Sequence, residues 1–575
     1  MSKTKYNKRS ITNLYELVES GAVLFGDKDL FRFKRDRQDR AVTFSQFKTA
    51  MDAVGTAFCE LDLHTVAVIG ETSPEWILTY LATVNGSKVI IPLDKELAPD
   101  QIAGFIKKAG ADCVVYSKTY KSYFENPEDL PQVKHFIVTA DKTEDPEVNL
   151  EIKGKDTLTD RYLRFEDIVD RGLYLIEQGD TRFTENEIDM EKMCAIIFTS
   201  GTTGTSKGVM LNQKALTAAV NASHHSTEFN CDDTIMSVLP VHHTYEMTCG
   251  ILTPILVGIT VCINDGLKYV LKNLNYYKPT GLVLVPLFVN TIYKKIWDTA
   301  TKNGMEKKLR FGLNLSSKLR TVKIDLRKQL FKSVINGFGG RLRLIVCGGA
   351  ALNPEMVTAF EDMGISMCQG YGITECAPLI SVTPIHCKKT ASVGPAVDGL
   401  EVMIDRENPT DEAGEILVKG DNVMMGYFED PDATAEVLTE DGWFATGDYG
   451  YIDSDGYIYV TGRKKNVIVL ENGKNVFPEE IESYLEKLDL VCECAVVGRL
   501  AEDKETVKIT AIIYPSQEVA AQMGLETSAD IAAELKTQIA SINKTLPSFK
   551  HIRGVEMRKT EFDKTTSHKI KRHSI

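Results

Sequence analysis

A stretch rich in glycine, serine and threonine directly follows an apolar run in the first half of the chain. The apolar residues 194–198 predict a buried strand, and the ten residues after them include three glycines. Glycine tolerates the dihedrals that let successive backbone N–H groups surround an anion, while hydroxyls and a lysine add further donors. We therefore predict a polyphosphate-binding loop, whose candidate residues are Thr199, Ser200, Gly201, Thr202, Thr203, Gly204 and Lys207.

Two other interpretations of this stretch fit its surroundings less well. Such clusters are often flexible linkers, but a linker does not begin at a buried strand and lead straight into the apolar residues 209–211. A Walker A loop has glycine before its lysine and Ser or Thr after it. Here Ser206 precedes Lys207 and Gly208 follows it, so the order differs from that of a P-loop NTPase.

Length and charge limit the class of protein. The chain has 575 residues, too many for one hydrophobic core, so we expect two or more domains. Its formal net charge of −13 argues against nucleic-acid binding. The start of the chain is basic but lacks the apolar run of a signal peptide. Residues 249–263, the longest apolar stretch, contain Pro254 and two glycines and are too short to span a bilayer, so we expect them in the core.

The 12 cysteines are scattered along the chain, apart from the close pair Cys492 and Cys494. Alternation over residues 491–497 predicts a strand with both thiols on one face, rather than a zinc or redox pair. Structural thiols are typical of a reducing compartment, so we expect a cytoplasmic protein.

Short apolar runs alternate with helical patterns over the first 400 residues, which predicts mostly parallel α/β layers. Prolines at Pro74 and Pro99 indicate two helix starts. After Gly399, short strands joined by Asp, Gly and Asn turns predict a β-rich, barrel-like subdomain over about 400–462. A compact α+β unit follows over 463–575, and the charged run ending at Lys465 is a hinge candidate between it and the domain formed by 1–462.

Two further segments combine small residues with chemically useful side chains. Residues 347–352 leave a predicted strand as a turn of small residues, which a flat ring such as adenine could approach, although a plain strand-to-helix turn has the same pattern. About twenty residues later, Tyr371 offers a face for stacking, Thr374 a hydroxyl for phosphate and Glu375 a hard oxygen ligand suited to Mg²⁺.

In sequence order these segments resemble the motifs of the adenylate-forming superfamily, which includes acyl-CoA synthetases, peptide-synthetase adenylation domains and firefly luciferase. The resemblance implies a large N-terminal domain of layered α/β sheets with a β-rich subdomain, followed by a small mobile α+β domain. It also implies that nucleotide is bound by Gly349, Ala350 and Ala351, by Gln369, Gly370, Tyr371, Gly372 and Thr374, and by Asp448, Arg463 and Lys569, with Mg²⁺ held by Glu375.

Three of these residues acquire roles from the resemblance. Asp448 would accept hydrogen bonds from both ribose hydroxyls, and Arg463 would contact the ribose. Lys569 would bridge the substrate carboxylate and the α-phosphate, where an oriented cation stabilises developing charge. The terminal motif departs from the family pattern twice, with Asp563 in place of the usual proline and His568 in place of the usual glycine.

Residues 239–246 bear on the substrate. Adjacent side chains diverge on a strand, so His242 and His243 are not expected to bind one metal ion. The segment resembles the Leu-Pro-x-x-His-x-x-Glu motif of long-chain acyl-CoA synthetases, which lines the acyl site and makes His243 a candidate active-site residue. Residues 338–350 and a charged helical insert over about 293–333 favour the same subgroup.

The implied reaction uses ATP, Mg²⁺ and coenzyme A, with the catalytic candidates Lys569, Thr374, Glu375 and His243. A carboxylic acid, expected to be a medium- or long-chain fatty acid, forms an acyl-adenylate and is transferred to coenzyme A. The acceptor could instead be an acyl-carrier protein, or the acid could be aromatic. A non-catalytic nucleotide sensor and a kinase-like phosphotransferase are the alternatives of other classes. No nucleic-acid partner is expected, and peripheral contact with a membrane is left open.

Overall fold

The computed structural model describes residues 8–139, 157–199, 206–408, 411–470, 475–500, 507–564 and 570–575. These residues form two compact units. The larger unit runs to Glu401 and includes Lys419–Gly442, whereas the smaller unit comprises Val402–Val418 and Trp443–Ile575. Within the described ranges, no helix combines the length and the apolarity needed to cross a bilayer.

The first of the two large sheets of the larger unit has eight strands, and it positions half of the candidate residues. Its central strands pair in parallel, while the two edge strands pair antiparallel. Gly348 lies beside Gly370 in this pairing, so the strands that contain them end at the same edge. In spatial order the strands are Ser381–Val382, Ser366–Tyr371, Leu344–Gly348, Gly281–Leu284, Thr234–Ser237, Thr260–Ile263, Asp29–Arg35 and Gln38–Thr43.

The second sheet also has eight strands and contains the strand that precedes the predicted phosphate loop. That strand, Met193–Thr199, is buried over most of its length and pairs antiparallel with Lys207–Asn212. The prediction of a buried strand at 194–198 is therefore confirmed. The spatial order is Gly426–Tyr427, Lys207–Asn212, Met193–Thr199, Val89–Pro92, Thr65–Ile69, Cys113–Tyr116, His135–Val138 and Tyr162–Arg164.

Helices pack on these sheets and begin where local sequence provides a cap. Ser73 accepts a hydrogen bond from the Trp76 amide, with Pro74 in the first turn, and a capping box of Thr43 and Gln46 starts another helix. The predicted starts at Pro74 and Pro99 are both confirmed. Outside the charged insert, the α-helices in the described part of the larger unit are Leu14–Phe25, Phe44–Glu60, Pro74–Asn85, Pro99–Lys108, Phe165–Glu177, Gln213–Ser226, Thr253–Val257, Val270–Tyr277, Pro354–Met363 and Pro431–Ala435.

The charged insert is helical, as predicted. It comprises Pro286–Lys302, Glu306–Thr321, Arg327–Leu330 and Lys332–Asn336, and it leads to the strand Leu344–Gly348. The apolar stretch 249–263 is buried throughout, as part of the π-helix Glu246–Leu252 and the elements that follow it. Its placement in the core is therefore confirmed.

The smaller unit contains most of a four-stranded sheet and an α+β body. In that body, the strands Val491–Leu500 and Val507–Pro515 pair antiparallel, and Gly554–Met557 pairs in parallel with the second of them. The four-stranded sheet consists of Leu400–Asp405, Gly414–Gly420, Phe444–Ile452 and Ile458–Arg463; a hairpin joins Ile468–Val469 to Asn475–Val476; and the helices are Pro478–Leu485, Gln517–Gln522 and Ser528–Asn543. The α/β fold class with a small C-terminal domain is as expected, whereas the boundary at 462 and the hinge near Lys465 stay predictions.

One local expectation was wrong. Cys494 is buried but Cys492 is exposed, so the two thiols do not share a face of their strand. The register of this strand shifts between Val491 and Glu493, which interrupts the two-residue alternation at that point. Alternation in the sequence does not reveal such a bulge.

Candidate active site

Four parallel strands of the first sheet end at one edge, and the ends of these strands and the segments that follow them carry half of the candidate residues. Ligands of open α/β sheets bind outside the carboxyl ends of the strands. Here Thr234–Ser237 leads to His243, and Gly281–Leu284 leads to an apolar helix start. Leu344–Gly348 leads to Gly349, and Ser366–Tyr371 carries Tyr371 at its end. The sheet therefore brings the predicted acyl-binding and adenine-binding segments to one edge.

Tyr245 holds two of these strands together. Its hydroxyl lies 3.3 Å from the Leu284 carbonyl oxygen and 3.2 Å from the Val346 carbonyl oxygen, and its ring lies against Gly348. A Cβ atom on Gly348 would be 3.2 Å from the ring, so a larger residue would require this contact to shift. The next residue, Gly349, has a φ of 91°, which favours glycine. The predicted adenine turn of Gly349, Ala350 and Ala351 thus leaves the strand through a conformation that needs its glycine.

The segment after the neighbouring strand makes an equally close turn. A Cβ atom on Gly372 would lie 1.7 Å from the Pro378 carbonyl oxygen, so this position accommodates only glycine in the observed backbone. Thr374 and Glu375 then start a short 3₁₀ turn. Gln369 is buried, and its amide donates to the carbonyl oxygens of Thr390 at 2.8 Å and Ser392 at 3.3 Å. The Gln369 side chain therefore anchors the loop that follows.

Glu375 belongs to a chain of three polar side chains that joins the two large sheets. The Tyr427 hydroxyl donates to Glu375 Oε1 at 3.0 Å, and the Glu375 carbonyl oxygen accepts from the Met424 amide at 2.8 Å. Lys207 Nζ lies 4.5 Å from the centre of the Tyr427 ring, within cation–π range. Burial and the neighbouring Glu375 carboxylate raise the pKa of Tyr427, so its hydroxyl stays protonated and keeps donating.

Lys207 and Thr199 frame the predicted phosphate loop. They are paired across the antiparallel strands of the second sheet, and Thr199 Oγ1 donates to the Lys207 carbonyl oxygen at 3.4 Å. Tyr427 pairs with the same strand through its partner Val209. The residues between the two strands that were predicted to bind phosphate, Ser200, Gly201, Thr202, Thr203 and Gly204, lie outside the described residues.

His243 lies beside His242, with ring centres 4.1 Å apart, at the start of a buried π-helix. Burial, with His243 and Lys95 nearby, lowers the pKa of His242 well below its usual value and keeps that ring neutral. Close by in sequence, Leu239, Cys249 and Val283 form a small apolar cluster, to which Tyr245, Val285 and Phe288 add partly buried side chains. The segment that contains His243 therefore contributes Leu239 and Cys249 to a small apolar core cluster.

Glu246 is a buried acid in this segment. Its side chain receives a hydrogen bond from the Ser237 hydroxyl, while Oε2 has no hydrogen-bond partner among the described residues. Burial raises the pKa of Glu246 to about 8, with the Ser237 hydrogen bond opposing that shift. The carboxyl group is therefore mostly neutral at pH 7, which suits an apolar surrounding.

The smaller unit carries the predicted ribose-binding pair. Asp448 is buried, and Arg463 Nε lies 2.6 Å from its Oδ1 across neighbouring antiparallel strands. The Asp448 amide donates to the Thr446 hydroxyl at 3.1 Å. Glu415 supports the same turn, because Oε1 accepts from the Gly447 amide at 3.1 Å and Oε2 pairs with Lys464 at 2.6 Å. The predicted hinge residue Lys465 lies in the following 3₁₀ turn.

Lys569 lies outside the described residues, but both flanks of its segment are anchored on the smaller unit. Lys564 pairs with Glu493 and lies 2.8 Å from Glu561. Arg572 pairs with the mostly buried Glu482 at 2.5 Å and donates to the Val496 carbonyl oxygen at 3.2 Å. Burial raises the pKa of Glu482 to about 7, and Arg572 opposes that shift.

Sequence reasoning did not find Tyr427, Glu415 or the buried state of Glu246. Tyr427 is 52 residues from Glu375 in sequence and stands in a short edge strand of the other sheet. The sequence around Tyr427, which follows Met425 by two residues, is typical of an ordinary core strand and does not mark the tyrosine as a site residue. Only the pairing with Lys207–Asn212 places its hydroxyl beside Glu375.

Comparison with known proteins identifies the class. The structure of an anthranilate CoA ligase, AuaEII, in complex with anthranoyl-AMP superposes with a TM-score of 0.75 at 19% identity, covering 98% of this chain and 97% of that one. The fold is therefore that of the adenylate-forming enzymes. The model of the AMP-binding enzyme family matches residues 19–428, and that of the AMP-binding enzyme C-terminal domain matches 465–575. The chain belongs to the AMP-binding enzyme family.

Two curated relatives are named for fatty acids. Fatty acyl-CoA synthetase A of Dictyostelium discoideum is 26% identical over 554 residues, which cover 90% of this chain and 80% of that protein. Long-chain-fatty-acid–CoA ligase 1 of Homo sapiens is 27% identical over 544 residues, which cover 88% of this chain and 74% of that protein. Together with the family match, these similarities support an AMP-forming acyl- or aryl-CoA ligase.

Proposed function

We propose that this protein activates a medium- or long-chain fatty acid with ATP and transfers the acyl group to coenzyme A. In the first step a carboxylate oxygen attacks the α-phosphorus, and the bond to the β-phosphate oxygen breaks with release of pyrophosphate. In the second step the coenzyme A sulfur attacks the acyl carbon, the bond to AMP breaks, and the thiol proton leaves to solvent. The products are acyl-CoA, AMP and pyrophosphate.

The observation that carries the fatty-acid assignment is the apolar cluster of the segment that contains His243. Leu239, Cys249 and Val283 form this cluster, Val285 packs against it, and a Cβ atom on Gly349 would lie 3.5 Å from Val285 Cγ1. An acyl chain gains free energy by leaving water for apolar surroundings of this kind, at roughly 25 cal/mol for each Å² of apolar surface buried. The two curated relatives named for fatty acids favour the same substrate class.

Several side chains have proposed roles in holding the nucleotide. Tyr371 would stack on adenine beside Gly349, Ala350 and Ala351, while Asp448 and Arg463 would bind the ribose. Lys207 would orient the β- and γ-phosphates, with the neighbouring loop as their cradle. Lys569 would stabilise charge on the α-phosphate and the carboxylate during attack. Because the adenylate hydrolyses readily, the site must also exclude water while the intermediate exists.

Glu375 is the proposed protein ligand of Mg²⁺. The described residues contain no group of three or more His, Cys, Asp or Glu side chains that could hold a metal ion. One carboxylate with phosphate oxygens and waters nevertheless fits Mg²⁺, which is usually bound by one or two carboxylates and its substrate phosphates. When bound, the ion would neutralise phosphate charge, and the Tyr427 hydrogen bond would orient the Glu375 carboxylate toward it.

A product assay tests the proposal. Purified full-length protein is incubated with ATP, Mg²⁺, coenzyme A and fatty acids of graded chain length, with benzoate-type acids in parallel, and AMP, ADP, pyrophosphate and thioester are measured. AMP, pyrophosphate and a thioester that forms best with medium or long chains would support it. A preference for aromatic acids would show that the substrate is an aromatic acid and not a fatty acid. ADP as the product would overturn the ligase assignment.

The same assay separates the remaining alternatives. Replacing coenzyme A by holo-acyl-carrier protein distinguishes the two acceptors, because both reactions release AMP and pyrophosphate but yield different thioesters. A nucleotide sensor would bind ATP without exchange of labelled pyrophosphate for any acid. Exchange with fatty acids would exclude that alternative.

A further inference from the structure

The charged helical insert of the larger unit has a charge opposite to that of the whole chain. Residues 286–336 contain twelve Lys and Arg against three Asp and Glu, whereas the full chain has 67 against 80. A local excess of this size creates a positive surface on an acidic protein. The insert would therefore attract an anionic partner that the rest of the surface repels.

Large apolar side chains are exposed on this same insert. Phe311 is 68% exposed and Val322 is 63% exposed, which is unusual for side chains of their type. The further exposed apolar residues of the insert are Leu287, Met305, Ile324, Leu326 and Leu330. Exposed apolar residues gathered on one element indicate an interaction surface rather than scattered surface contacts.

The basic and apolar side chains alternate on the exposed face. On the helix Glu306–Thr321, Lys307, Phe311 and Lys318 are separated by four and seven residues, which places them on one face. The buried face of this helix carries Leu309 and Ser316 instead. Beyond the helix, Val322, Lys323 and Ile324 are exposed in succession, and exposed Leu326 follows Asp325, which pairs with Arg327. The mixture of cations and apolar side chains therefore continues beyond the helix.

The lysines and arginines of the insert differ in their partners. Arg310 pairs with Glu306, Arg320 with Asp362 and Arg327 with Asp325. By contrast, no ion pair to any residue of the described ranges is formed by Lys307, Lys308, Lys318, Lys323, Lys328 or Lys332. The three arginines are therefore engaged in ion pairs within the chain, whereas these lysines can pair with an anion of a binding partner.

We propose that the surface formed by Lys307, Lys308, Phe311, Lys318 and residues 322–330 docks on an anionic lipid bilayer. The unpaired lysines would form ion pairs with the phosphate headgroups. Phe311, Val322 and Ile324 would insert at the boundary between headgroups and acyl chains. Interfacial binding uses this combination of lysines with aromatic and aliphatic side chains. A polyanion such as RNA offers headgroup-like charge but no apolar layer, so it leaves the exposed apolar residues without a partner.

The position of the insert connects this surface with the site. Phe288, in the first turn of its first helix Pro286–Lys302, packs against the apolar cluster of Leu239, Cys249 and Val283. Leu287, one residue away, is exposed. On the proposed function, a fatty acid dissolved in the bilayer would therefore enter near the helix that lines its binding site. This last step rests on the proposed function, whereas the docking itself does not.

Vesicle sedimentation in the absence of substrates tests the docking. Full-length protein is spun with vesicles of phosphatidylcholine alone and with vesicles that also contain phosphatidylglycerol. We expect binding to the anionic vesicles that weakens with salt, and the double variant Lys307→Glu, Lys308→Glu to reduce it by about tenfold or more, given the attraction of each basic residue to an anionic surface. Phe311→Ser should also weaken binding, with less dependence on salt.

Matched variants elsewhere on the larger unit serve as controls. Lys107 and Lys108 are exposed neighbours on the helix Pro99–Lys108, and Lys107→Glu, Lys108→Glu makes the same change in charge. Val23→Ser is the control for Phe311→Ser. Equal losses in the insert and control variants, equal binding to neutral vesicles, or binding to single-stranded RNA without binding to vesicles would each overturn the proposal. Thermal unfolding midpoints confirm that the variants are folded.

Discussion

The Tyr427 hydroxyl donates to the Glu375 carboxylate at 3.0 Å, and this contact joins two sheets through residues distant in sequence. Glu375 follows a strand of the first sheet, and Tyr427 stands in an edge strand of the second. The same tyrosine ring supports Lys207, the lysine of the predicted phosphate loop. Tyr427 is therefore a positioning residue between the proposed metal ligand and the proposed phosphate-binding lysine.

Removing the hydroxyl of Tyr427 should weaken the proposed use of Mg²⁺. Tyr427→Phe keeps the ring under Lys207 but deletes the donor to Glu375, so the carboxylate loses its fixed orientation. We expect kcat for pyrophosphate release to fall by about tenfold, with more Mg²⁺ needed for half-maximal activity and little change in KM for the fatty acid, on the basis of one lost charge-assisted hydrogen bond. Initial rates over a series of Mg²⁺ concentrations measure this.

Tyr427→Leu provides the comparison, because it removes the ring as well as the hydroxyl. Its KM for ATP should rise further than that of Tyr427→Phe, since Lys207 also loses its support. If Tyr427→Phe lowers stability but leaves the Mg²⁺ dependence unchanged, the tyrosine has a purely structural role.

The Asp448–Arg463 pair should affect both nucleotide binding and stability. Asp448→Asn keeps the shape of a buried side chain but removes the charge that faces Arg463 at 2.6 Å. We expect KM for ATP to rise by about tenfold and the free energy of unfolding to fall by about 1–2 kcal/mol, as for a hydrogen bond to a charged group. Steady-state kinetics and urea unfolding provide the two values.

A surface ion pair of the same unit is the control for Asp448→Asn. Arg499 and Glu556 pair at 3.3 Å with both side chains nearly half exposed. Glu556→Gln should change stability by less than about 1 kcal/mol and leave KM for ATP unaltered, because exposed pairs contribute little. An unchanged KM in Asp448→Asn would contradict the proposed ribose contact.

The raised pKa of Glu246 predicts that the free energy of unfolding falls as the pH rises. Burial raises its pKa in the folded chain from the ordinary value of 4.5 to about 8, so the folded state holds a proton that the unfolded state has lost above pH 5. The contribution of the protonated Glu246 to the free energy of unfolding is complete below the pKa of this carboxyl group in the unfolded chain. It is lost progressively as the pH rises to the pKa in the folded chain. Between pH 5 and pH 8 the loss amounts to several kcal/mol, at about 1.4 kcal/mol for each pH unit.

Glu246→Gln tests this dependence without changing the size of the side chain. Because glutamine does not titrate, urea unfolding of the variant should show a smaller decrease in stability between pH 5 and pH 8 than the unaltered chain does. The difference between the two slopes isolates the Glu246 contribution from that of other groups. Parallel slopes would show that Glu246 is ionised in the folded state.

Local signals made much of the secondary structure predictable. Pro74 and Pro99 start helices because proline fits the first turn, and the apolar residues 194–198 lie in the strand Met193–Thr199 as predicted. The division of the strands between two eight-stranded sheets was not predictable, since pairing partners depend on packing across hundreds of residues. The strand Lys207–Asn212, for example, pairs with Gly426–Tyr427.

The candidate site was predictable where one segment carries the chemistry. Tyr371, Thr374 and Glu375 stand within five residues, and Gly349 directly follows its strand, where the sequence predicted a turn of small residues. Tyr427 and Glu415 were not predictable, because each acts through contacts with residues distant in sequence. The prediction that the Cys492 and Cys494 thiols lie on one face of their strand was wrong, because a bulge breaks the alternation on which it rested.

Lys569 should separate the two half-reactions. Lys569→Ala removes the cation proposed to stabilise attack on the α-phosphate, so adenylate formation should fall by about a hundredfold or more, the usual effect of losing a group that stabilises transition-state charge. Thioester formation from supplied acyl-AMP and coenzyme A should remain largely intact. Pyrophosphate exchange and thioester formation from synthetic acyl-AMP measure the two steps separately.

Arg572→Gln is the matched control, because it disturbs the anchoring of the same segment without removing Lys569. It leaves the mostly buried Glu482 without its cation, which should lower the free energy of unfolding by about 2–3 kcal/mol. Adenylate formation should then decrease less than in Lys569→Ala, since the lysine remains available. Equal loss of both half-reactions in Lys569→Ala would show that this lysine supports the fold or the second step, and the catalytic cation would have to be sought at another residue.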